Sequence, residues 1–492
     1  MKPTNFLLII TDEHQRGVAG CYGNEKAITP NLDALARRGK VFDNAYTPSP
    51  ICVPARGALA AGDWVNKLGY WDNAIGFHGE VPSWHARIRD AGHDMVGIGK
   101  MHFRSMADDN GFSKEILTMH MMNDGAGDLI GSIRNPPPPP RSAMPALAAS
   151  VGPGECSYND FDRDVAQEAV AWLQARAAQQ RDQPWGLMVS FVRPHYPLTV
   201  PQKYYDMFDP AEMSLPDFYA GTAGARHPWV DQLSKTINYG DHFKDSDHVR
   251  RAIASYYALV AFVDEQIGAV LDALATAGFT DSTRIVYSTD HGDNIGRRGL
   301  WGKSVMYEEA VAIPLITAGP DVEPGTRSSA PVSLVDVYKS ALEAMDIAET
   351  AHDRALPSMS LWKPEEIPAD RSIVSEYHAM GSQSGCYMLR WGRWKYIHYV
   401  HHLPELFDVS ADPAEVNNLA QDPAHRQVVE EGRARLLAVC DPEATDKRAF
   451  EQQQSVLNEH GGADEILRRG DQLFTPPPGK GPTLHFAEKA PA

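Results

Sequence analysis

Short apolar runs alternate with segments of helical spacing through the first two thirds of the chain. Apolar runs bounded by polar loops are typical of strands buried on both faces, and intervening helices favour a mainly parallel sheet. We therefore predict an α/β fold in which a large, mostly parallel sheet is sandwiched by helices. The predicted buried strands are Asn5–Ile10, Asp94–Ile98, Gly186–Val192 and Arg284–Ser288.

Two segments carry the clearest helix signals. In the first, Thr29 supplies an N-cap, Pro30 takes the first helical position and Gly39 closes the helix. The second runs from His248 to Ala277 with apolar residues at helical spacing. We interpret its apolar stripe as core.

The pattern changes after about residue 370, where short aromatic runs are joined by tight polar turns. This pattern predicts a small antiparallel sheet. We divide the chain into a catalytic α/β domain (1–370), a small antiparallel-sheet subdomain (371–445) and a C-terminal extension or arm (446–492). The predicted late strands are Ser372–Tyr377, Cys386–Arg390, Arg393–Tyr399 and Glu405–Val409.

Two segments lack periodicity. Residues 125–154 are rich in Gly, Pro, Ser and Ala, which predicts an extended, poorly packed surface loop. The tail beyond Asp471 contains the run Thr475–Gly479, and the pattern leaves two interpretations open: an arm laid on another subunit, or disorder. We expect a homo-oligomer.

Composition excludes several classes of protein. The chain has 492 residues, 43% of them hydrophobic, which is enough for a large globular core. A formal net charge of -18 argues against nucleic acid and anionic membranes as partners. Any anionic substrate must therefore meet local positive charge.

Cysteine usage and the N-terminal segment bear on the cellular compartment. Five cysteines without a CxxC pair indicate neither a disulfide framework nor a thiolate zinc site. The apolar run Phe6–Ile10 is too short for a signal peptide, and no stretch approaches membrane-spanning length. We expect a cytoplasmic protein.

Polar side chains follow each of the four predicted strands. Open α/β sheets bind ligands beyond the carboxyl ends of their strands, so these side chains should converge at one edge. The segments after the strands are Thr11–His14, Gly99–His102, Arg193–Pro197 and Thr289–Asp293.

Asp12 and Asp290 form the candidate core of a metal site. Each alone would fit a helix cap or a turn. Held together, the two carboxylates would repel, and a hard cation removes that cost. Oxygen ligands indicate Ca, Mg or Mn, and His291 as a further ligand would favour Mn or another borderline metal. Glu13 is an additional candidate ligand.

Cys52 lies where a loop enters a short helix that ends at Gly62. The free amides and dipole of a helix N-terminus favour an anion, or a group that binds anions. An isolated cysteine is more often a small buried hydrophobe. The residue alone does not decide between these interpretations.

The motif around Cys52 favours a functional cysteine over a small buried hydrophobe. The run Cys52-Val53-Pro54-Ala55-Arg56 resembles the Cys-x-Pro-x-Arg motif of type I sulfatases, formylglycine-dependent enzymes of the alkaline phosphatase superfamily. In that family the cysteine is oxidised after translation to formylglycine. The resemblance extends to Asp12, Lys100-Met101-His102, His195 in Pro-His-Tyr-Pro, Asp290-His291-Gly292, Lys303 in Leu-Trp-Gly-Lys, and the late Leu406-Phe407-Asp408 with Asp412-Pro413 and Asn417-Asn418-Leu419.

The resemblance implies an alkaline phosphatase-like fold and a role for each matching residue. Arg56 would fix the formylglycine hydrate, and Lys100 and Lys303 would hold sulfate oxygens. His102 and His195 would transfer protons, His195 together with Lys303. The implied ligands of one divalent metal ion are Asp12, Glu13, the modified Cys52, Asp290 and His291.

Three functions remain open at this point. The favoured one is hydrolysis of a small anionic sulfate monoester to an alcohol or phenol and inorganic sulfate, after a formylglycine-generating or cysteine-oxidising enzyme has converted Cys52. His291 and Asn73 resemble the phosphonate monoester hydrolase branch instead, whereas Gly99–Phe103 resembles the choline sulfatase and arylsulfatase branches. Asn73 would contact the oxyanion or serve as a turn amide. The alternatives are hydrolysis of a phosphonate monoester or phosphodiester, and a catalytically silent metal-binding homologue.

Overall fold

The computed structural model describes residues 3–179, 183–470 and 474–479. The strands, in chain order, are β1 (Asn5–Asp12), β2 (Gly39–Tyr46), β3 (Asp94–Lys100), β4 (Lys114–Met119), β5 (Gly152–Pro153), β6 (Trp185–Pro194), β7 (Thr199–Val200), β8 (Thr283–Thr289), β9 (Leu315–Ala318), β10 (Thr326–Ser333), β11 (Ile373–Tyr377), β12 (Cys386–Trp391), β13 (Trp394–Tyr399) and β14 (Glu405–Asp408).

The α-helices, in chain order, are α1 (Pro30–Arg37), α2 (Cys52–Ala61), α3 (Val65–Leu68), α4 (Trp84–Asp90), α5 (Met144–Ala149), α6 (Ser157–Ala178), α7 (Gln202–Tyr205), α8 (Pro228–Thr236), α9 (Ser246–Thr276), α10 (Glu308–Val311), α11 (Val337–Ala344), α12 (Ala351–Ala355), α13 (Arg426–Leu437), α14 (Pro442–Glu459) and α15 (Ala463–Arg469). Within the described ranges, none of these helices is both long and apolar enough to cross a lipid bilayer.

The large sheet has the strand order β10-β2-β9-β8-β1-β6-β3-β4. Strand β9 runs antiparallel to its neighbours β2 and β8, and the other pairs are parallel. Every residue of β1 is buried, because helices cover both faces of the sheet. Side chains of β1 pack alternately against α1 with α9 and against α2 with α4. The predicted α/β sandwich with a mostly parallel sheet is confirmed.

Helix α1 begins as predicted, with Thr29 at the N-cap position and Pro30 at the first helical position, but the Thr29 side chain does not cap it and Gly39 does not close it. Thr29 makes no capping hydrogen bond, and Gly39 is the first residue of β2 instead of the helix end. The carboxylate of Asp264 in α9 accepts hydrogen bonds of 3.0 and 2.9 Å from the amides of Asn31 and Leu32. A charged acceptor from a distant helix has replaced the local hydroxyl, since a carboxylate binds amide donors more strongly.

The prediction of a poorly packed surface loop over residues 125–154 is wrong. Ile130, Ile133 and Leu147 are buried, and Arg141 is almost fully enclosed. Arg134 donates a 2.6 Å hydrogen bond to Asp446 of α14, which fixes the segment to the C-terminal region. Its apolar residues are too widely spaced to show periodicity, yet they pack between α14 and α15 on one side and α6 on the other.

The second sheet has the order β11-β12-β13-β14 and is antiparallel throughout. The predicted small C-terminal antiparallel sheet is confirmed, whereas the domain boundaries at 370 and 445 stay predictions. Its inner face packs on residues near α2, α3 and α10, so it supports the segment that carries Cys52. The buried Lys395 of β13 bridges Glu308 at 3.0 Å and Glu415 at 2.7 Å.

Candidate active site

Four strand ends meet at one edge of the large sheet. Asp12 ends β1 and Lys100 ends β3, while His195 and Asp290 directly follow β6 and β8. Strand β1 lies between β6 and β8, and Thr11 is in register with Thr289. The predicted convergence of these side chains is therefore observed.

Cys52 lies at the centre of this group and is buried. Its Sγ is 3.3 Å from Nε2 of His291 and 3.7 Å from Oδ1 of Asp12. Lys303 approaches from another side, with Nζ 3.2 Å from the sulfur. The thiol thus has acidic, imidazole and ammonium groups as direct neighbours.

The position of Cys52 follows from the start of α2. Ile51 is extended and Cys52 is the first helical residue, so its side chain lies at the helix N-terminus as the sequence indicated. Burial, and next the charge of Asp12, raise the pKa of the thiol to about 11. The unmodified thiol is therefore neutral near pH 7 and not an anion, because these effects outweigh the helix terminus and the two lysines.

Arg56 holds α2 against the strand ends. Its Nε donates a 2.7 Å hydrogen bond to Asp290, and its Nη1 donates to the Lys100 carbonyl at 2.6 Å and to Ser190 Oγ at 2.8 Å. Asp12 lies 3.6 Å from Nη2. Burial lowers the pKa of Arg56, but Asp290 and then Asp12 outweigh it and leave the pKa raised. Arg56 is thus a fully buried permanent cation.

Ser190 was missed by the sequence analysis. It is a hydroxyl within the apolar run 186–192 of strand β6, and it faces the site from the strand next to β1. A polar residue in an apolar strand was the available signal, because a buried hydroxyl requires a hydrogen-bond partner.

Lys100 pairs directly with Asp12, and both side chains are almost fully buried. Burial raises the pKa of Asp12, but the positive charges of Lys100, His195, Lys303 and Arg56 outweigh it and hold the pKa well below its usual range. Asp12 is consequently a carboxylate, as a ligand for a cation must be.

Glu13 lies beside Asp12 in a left-handed backbone conformation, with φ of 71°. Its Oε2 is 3.2 Å from Nζ of Lys303 and 3.6 Å from Nε2 of His195. Its Oε1 is buried and has no hydrogen-bond partner within the described ranges. Burial raises the pKa of Glu13 well above its usual range, with Lys303 opposing.

The two histidines singled out from sequence both lie in the site. Burial first, and then Lys100 for His102 and Lys303 for His195, lower both pKa values well below the usual range. His195 Nδ1 lies 2.7 Å from the Tyr196 carbonyl, which fixes the proton on Nδ1 and leaves Nε2 as an acceptor in the neutral ring.

Asn73 borders the same cavity, but its side-chain oxygen accepts a 3.1 Å hydrogen bond from the Val53 amide. The residue therefore satisfies one free amide of the first turn of α2. Contact between its amide nitrogen and a substrate oxyanion stays a prediction.

Two groups of side chains could hold a metal ion. The potential ligand atoms of Asp12, Cys52, Asp290 and His291 all lie within 4.8 Å of one another, and so do those of Asp12, Glu13 and His195. The members of both groups are buried. Among the described residues, Oε1 of Glu13 has no hydrogen-bond partner, and Oδ2 of Asp12 contacts only cationic side chains. Both oxygens could therefore bind a hard cation.

A cavity of about 70 Å³ opens above Cys52, with room for roughly five water molecules. Its outer wall is largely aromatic and apolar, and it includes residues of the 119–157 segment. Tyr158, Tyr239 and Thr475 in this wall belong to no recognised motif, and Trp301, although part of the Leu-Trp-Gly-Lys motif, was not predicted to border the site.

Two family models match the chain. The model described as "Sulfatase" covers residues 4–347, and the model described as "N-sulphoglucosamine sulphohydrolase, C-terminal" covers residues 296–441. Together they span the large sheet, the candidate site and the antiparallel sheet.

Curated relatives carry sulfatase names. The chain is 30% identical over 402 residues to a choline-sulfatase of Rhizobium meliloti (strain 1021), covering 80% of this chain and 78% of the relative. It is 28% identical over 439 residues to an arylsulfatase K of Danio rerio, covering 85% and 80%.

Solved structures show the same fold. The phosphonate monoester hydrolase of Agrobacterium radiobacter matches with a TM-score of 0.70 and 22% identity, over 89% of this chain and 95% of that one. The fold is thus alkaline phosphatase-like, as the sequence predicts. Since one family model spans residues 4–347 with all the strand ends described above, the chain belongs to the sulfatase family and is a sulfuric ester hydrolase.

Proposed function

We propose that this sulfatase hydrolyses a small sulfate monoester to an alcohol or phenol and inorganic sulfate, with Cys52 converted to formylglycine. The observation that carries the proposal is the position of Cys52 at the start of α2. There its sulfur lies 3.2 Å from Lys303 Nζ and 3.3 Å from His291 Nε2, beside the buried Arg56. The neutral thiol is a poor nucleophile, which supports a chemical conversion at this position.

A divalent cation fits the buried acids around Cys52. Asp12, Asp290 and His291 would hold it together with the modified side chain at position 52, and Glu13 is the further candidate. When bound, the cation supplies Lewis-acid chemistry, and the hydrated aldehyde at position 52 supplies the hydroxyl that attacks sulfur. Carboxylate ligands with one imidazole leave Ca, Mg and Mn as candidates.

Three cations of the chain would stabilise the transition state, and two of them, Lys100 and Lys303, would bind the sulfate oxygens. Arg56 fixes the geometry of position 52 through its bonds to Asp290 and Ser190. Lys100 and Lys303 place their ammonium groups next to Asp12 and Cys52. In a buried site such preorganised charges stabilise developing negative charge more strongly than water does.

His102 and His195 would move protons. Both rings are neutral in the resting site because burial lowers their pKa values, so each can accept a proton. A bound anionic ester raises the pKa of a nearby imidazole, since negative charge favours the protonated form. His195 with Lys303 can then donate to the leaving oxygen, while His102 serves as the base.

Conversion of Cys52 by a maturation enzyme has to precede folding under this proposal. All ten residues of α2 are buried, and the Cys52 side chain is 1% exposed. A second protein cannot reach that side chain once α2 has packed against the sheet. The substrate of the maturation enzyme is therefore the unfolded segment around residues 50–56.

The test combines mass spectrometry with turnover. The tryptic peptide 41–56 of purified protein should have the mass of an aldehyde at position 52, and 4-nitrophenyl sulfate should be hydrolysed. Cys52→Ala should abolish hydrolysis, whereas Cys440→Ser, at a partly exposed cysteine, should retain it. Full hydrolysis by Cys52→Ala would disprove the assignment of the nucleophile.

Phosphonate hydrolysis by the same site is the competing function, because a phosphonate monoester is also a tetrahedral anion. Phenyl 4-nitrophenylphosphonate should be turned over more slowly than 4-nitrophenyl sulfate, compared as kcat/KM. The reverse preference would assign the protein to the competing function while leaving the site residues unchanged.

A further inference from the structure

Residues 474–479 lie against the candidate active site of their own chain. Thr475 and Pro477 are buried, while Phe474 is partly buried. The Thr475 hydroxyl lies 2.9 Å from Nε2 of His102, and its carbonyl accepts a 2.7 Å hydrogen bond from the Tyr158 hydroxyl. For these six residues neither sequence interpretation of the tail applies; the predictions for residues 471–473 and 480–492 lie outside the described residues.

The contact at His102 is specific. Burial encloses the ring, and its Nδ1 has no hydrogen-bond partner among the described residues. Thr475 is therefore the group that holds the imidazole by a hydrogen bond, through Nε2. A ring fixed at one nitrogen presents the other in a defined direction.

Phe474 extends the same wall. Its ring packs edge-on against Tyr196, with centroids 5.5 Å apart, and against Tyr158 at 6.2 Å. Both tyrosines border the cavity, and Tyr196 lies directly beside His195, with ring centroids 4.0 Å apart. Phe474 thus supports the aromatic side of the cavity from outside.

The prolines after Thr475 favour this placement. Pro476, Pro477 and Pro478 each have φ restricted to about −65°, so the unbound segment samples few conformations. Ordering it against the cavity therefore costs less conformational entropy than ordering a flexible tail would.

We propose that residues 474–479 form a fixed wall of the active site, in which Thr475 is a positioning residue for His102 and Phe474 limits the size of the leaving group. This inference rests on the proposed sulfate ester hydrolysis for its kinetic consequences. The docking of the segment itself does not depend on that activity.

The kinetic test compares two substitutions at position 475. Thr475→Val keeps the shape and removes the hydroxyl, so kcat for 4-nitrophenyl sulfate should fall about tenfold with KM little changed. Thr475→Ser keeps the hydroxyl and should restore kcat to near the unmodified rate. Equal kcat in Thr475→Val and the unmodified enzyme would refute the positioning role, as would equal losses in both variants.

The size test uses Phe474→Ala and two aryl sulfates. The ratio of kcat/KM for the bulkier 4-methylumbelliferyl sulfate to that for 4-nitrophenyl sulfate should rise several-fold, because the wall has lost its support. An unchanged ratio would show that Phe474 does not limit the leaving group.

A labelling test measures how well residues 474–479 shield Cys52, and it does not require catalysis. In protein whose Cys52 is still a thiol, N-ethylmaleimide should label Cys52 several-fold faster in Phe474→Ala and in a chain ending at Gly470. Cys440 serves as the internal reference, because it is partly exposed and does not border the cavity. Equal labelling in all chains would refute the wall, whereas faster labelling combined with no sulfate ester hydrolysis by protein whose Cys52 has been converted to the aldehyde would refute only the proposed function.

Discussion

Arg56 Nε donates a 2.7 Å hydrogen bond to Oδ2 of Asp290, although 234 residues separate the two in sequence. Both side chains are fully buried. The bond joins the first turns of the helix that begins with Cys52 to the loop that follows β8. The bond therefore helps to fix the geometry of the site, together with the contacts of Cys52 with His291 and Lys303.

Arg56→Lys should inactivate and destabilise the protein. A lysine ammonium cannot make the bonds to Asp290, the Lys100 carbonyl and Ser190 together, since it lacks the planar fork of the guanidinium. Breaking a buried pair costs about 3–5 kcal/mol when a partner is left unmatched, and the retained ammonium should place the loss near the lower end. Thermal unfolding and 4-nitrophenyl sulfate turnover measure the two effects.

The matched control for Arg56→Lys is Arg426→Lys on α13, where the guanidinium is exposed and pairs with Glu430. Exposed pairs contribute about 0–1 kcal/mol. Unfolding temperatures that fall equally in both variants would contradict the role given to Arg56.

Removal of divalent cations should lower both activity and thermal stability. Asp12, Asp290 and His291 offer ligand atoms within 4.8 Å of each other, and a cation that binds only the folded state stabilises it. Treatment with EDTA should lower Tm, and added Mn²⁺, Ca²⁺ or Mg²⁺ should restore it in the order of affinity. Differential scanning fluorimetry reports this without any turnover.

In the same assay, Asp290→Asn should show a much smaller response of Tm to EDTA, and the surface variant Asp231→Asn should respond like the unmodified protein. An identical Tm response in Asp290→Asn would place the cation elsewhere.

Gly99→Ala should destabilise the end of β3. Gly99 has φ of 95°, and a β-carbon there would meet the backbone carbonyl of Ser190 on the neighbouring strand. Movement of β3 at Gly99 would shift Lys100, and movement of β6 would shift Ser190, which accepts a hydrogen bond from Arg56. We expect a loss of about 2–3 kcal/mol or more, measured by urea unfolding.

Gly278→Ala separates conformational strain from collision. Gly278 has φ of 74°, and a β-carbon there would meet nothing within 4 Å. It should lose only about 1 kcal/mol, from the left-handed conformation alone. A larger loss of unfolding free energy in Gly278→Ala than in Gly99→Ala would disprove the predicted collision between the new β-carbon at position 99 and the Ser190 carbonyl.

Asp446 should make the protein sensitive to acid. Burial raises its pKa, but His378 and then Arg134 outweigh burial and lower the pKa to about 2. Because the folded pKa lies below the unfolded value, this stabilisation of about 2 kcal/mol is present above pH 4 and is lost between about pH 4 and 2. Asp446→Asn should be less stable at pH 6 and should have a shallower slope of stability over that range.

Urea unfolding at several pH values from 2.5 to 6 measures this slope. Asp464→Asn, at an exposed position of α15, is the control and should keep the slope of the unmodified protein. A slope unchanged in Asp446→Asn would show that other carboxylates cause the acid sensitivity.

The strands that carry the site could be predicted because each is a continuous apolar run between loops, and a parallel sheet brings their ends together. Asp12, Lys100, His195 and Asp290 follow directly from that geometry. Arg56 could be assigned to the site only through its motif, because the local sequence alone does not explain a charged residue in an apolar helix.

The walls of the cavity could not be predicted. Thr475 and Tyr158 reach it from a proline-rich tail and a long helix, and nothing in their local sequence indicates what they face. The same limit explains why the Thr29 side chain makes no capping hydrogen bond although Thr29 is at the predicted N-cap position: Asp264 of α9 accepts from the first amides of the helix instead. Long-range partners decide such positions, and a single sequence does not reveal them.

The register of β1 with β8 also constrains the order in which the chain can acquire this chemistry. Asp12 and Asp290 are brought together by strands whose paired residues, such as Thr11 and Thr289, lie 278 residues apart in sequence. A nascent chain that has been synthesised only to residue 280 already contains Cys52. It also contains Asp12 and Glu13, which pair with Lys100 and Lys303 in the folded site. This shorter chain lacks Asp290, the carboxylate that binds Arg56. The complete active site can therefore form only after β8 and Asp290 have been synthesised.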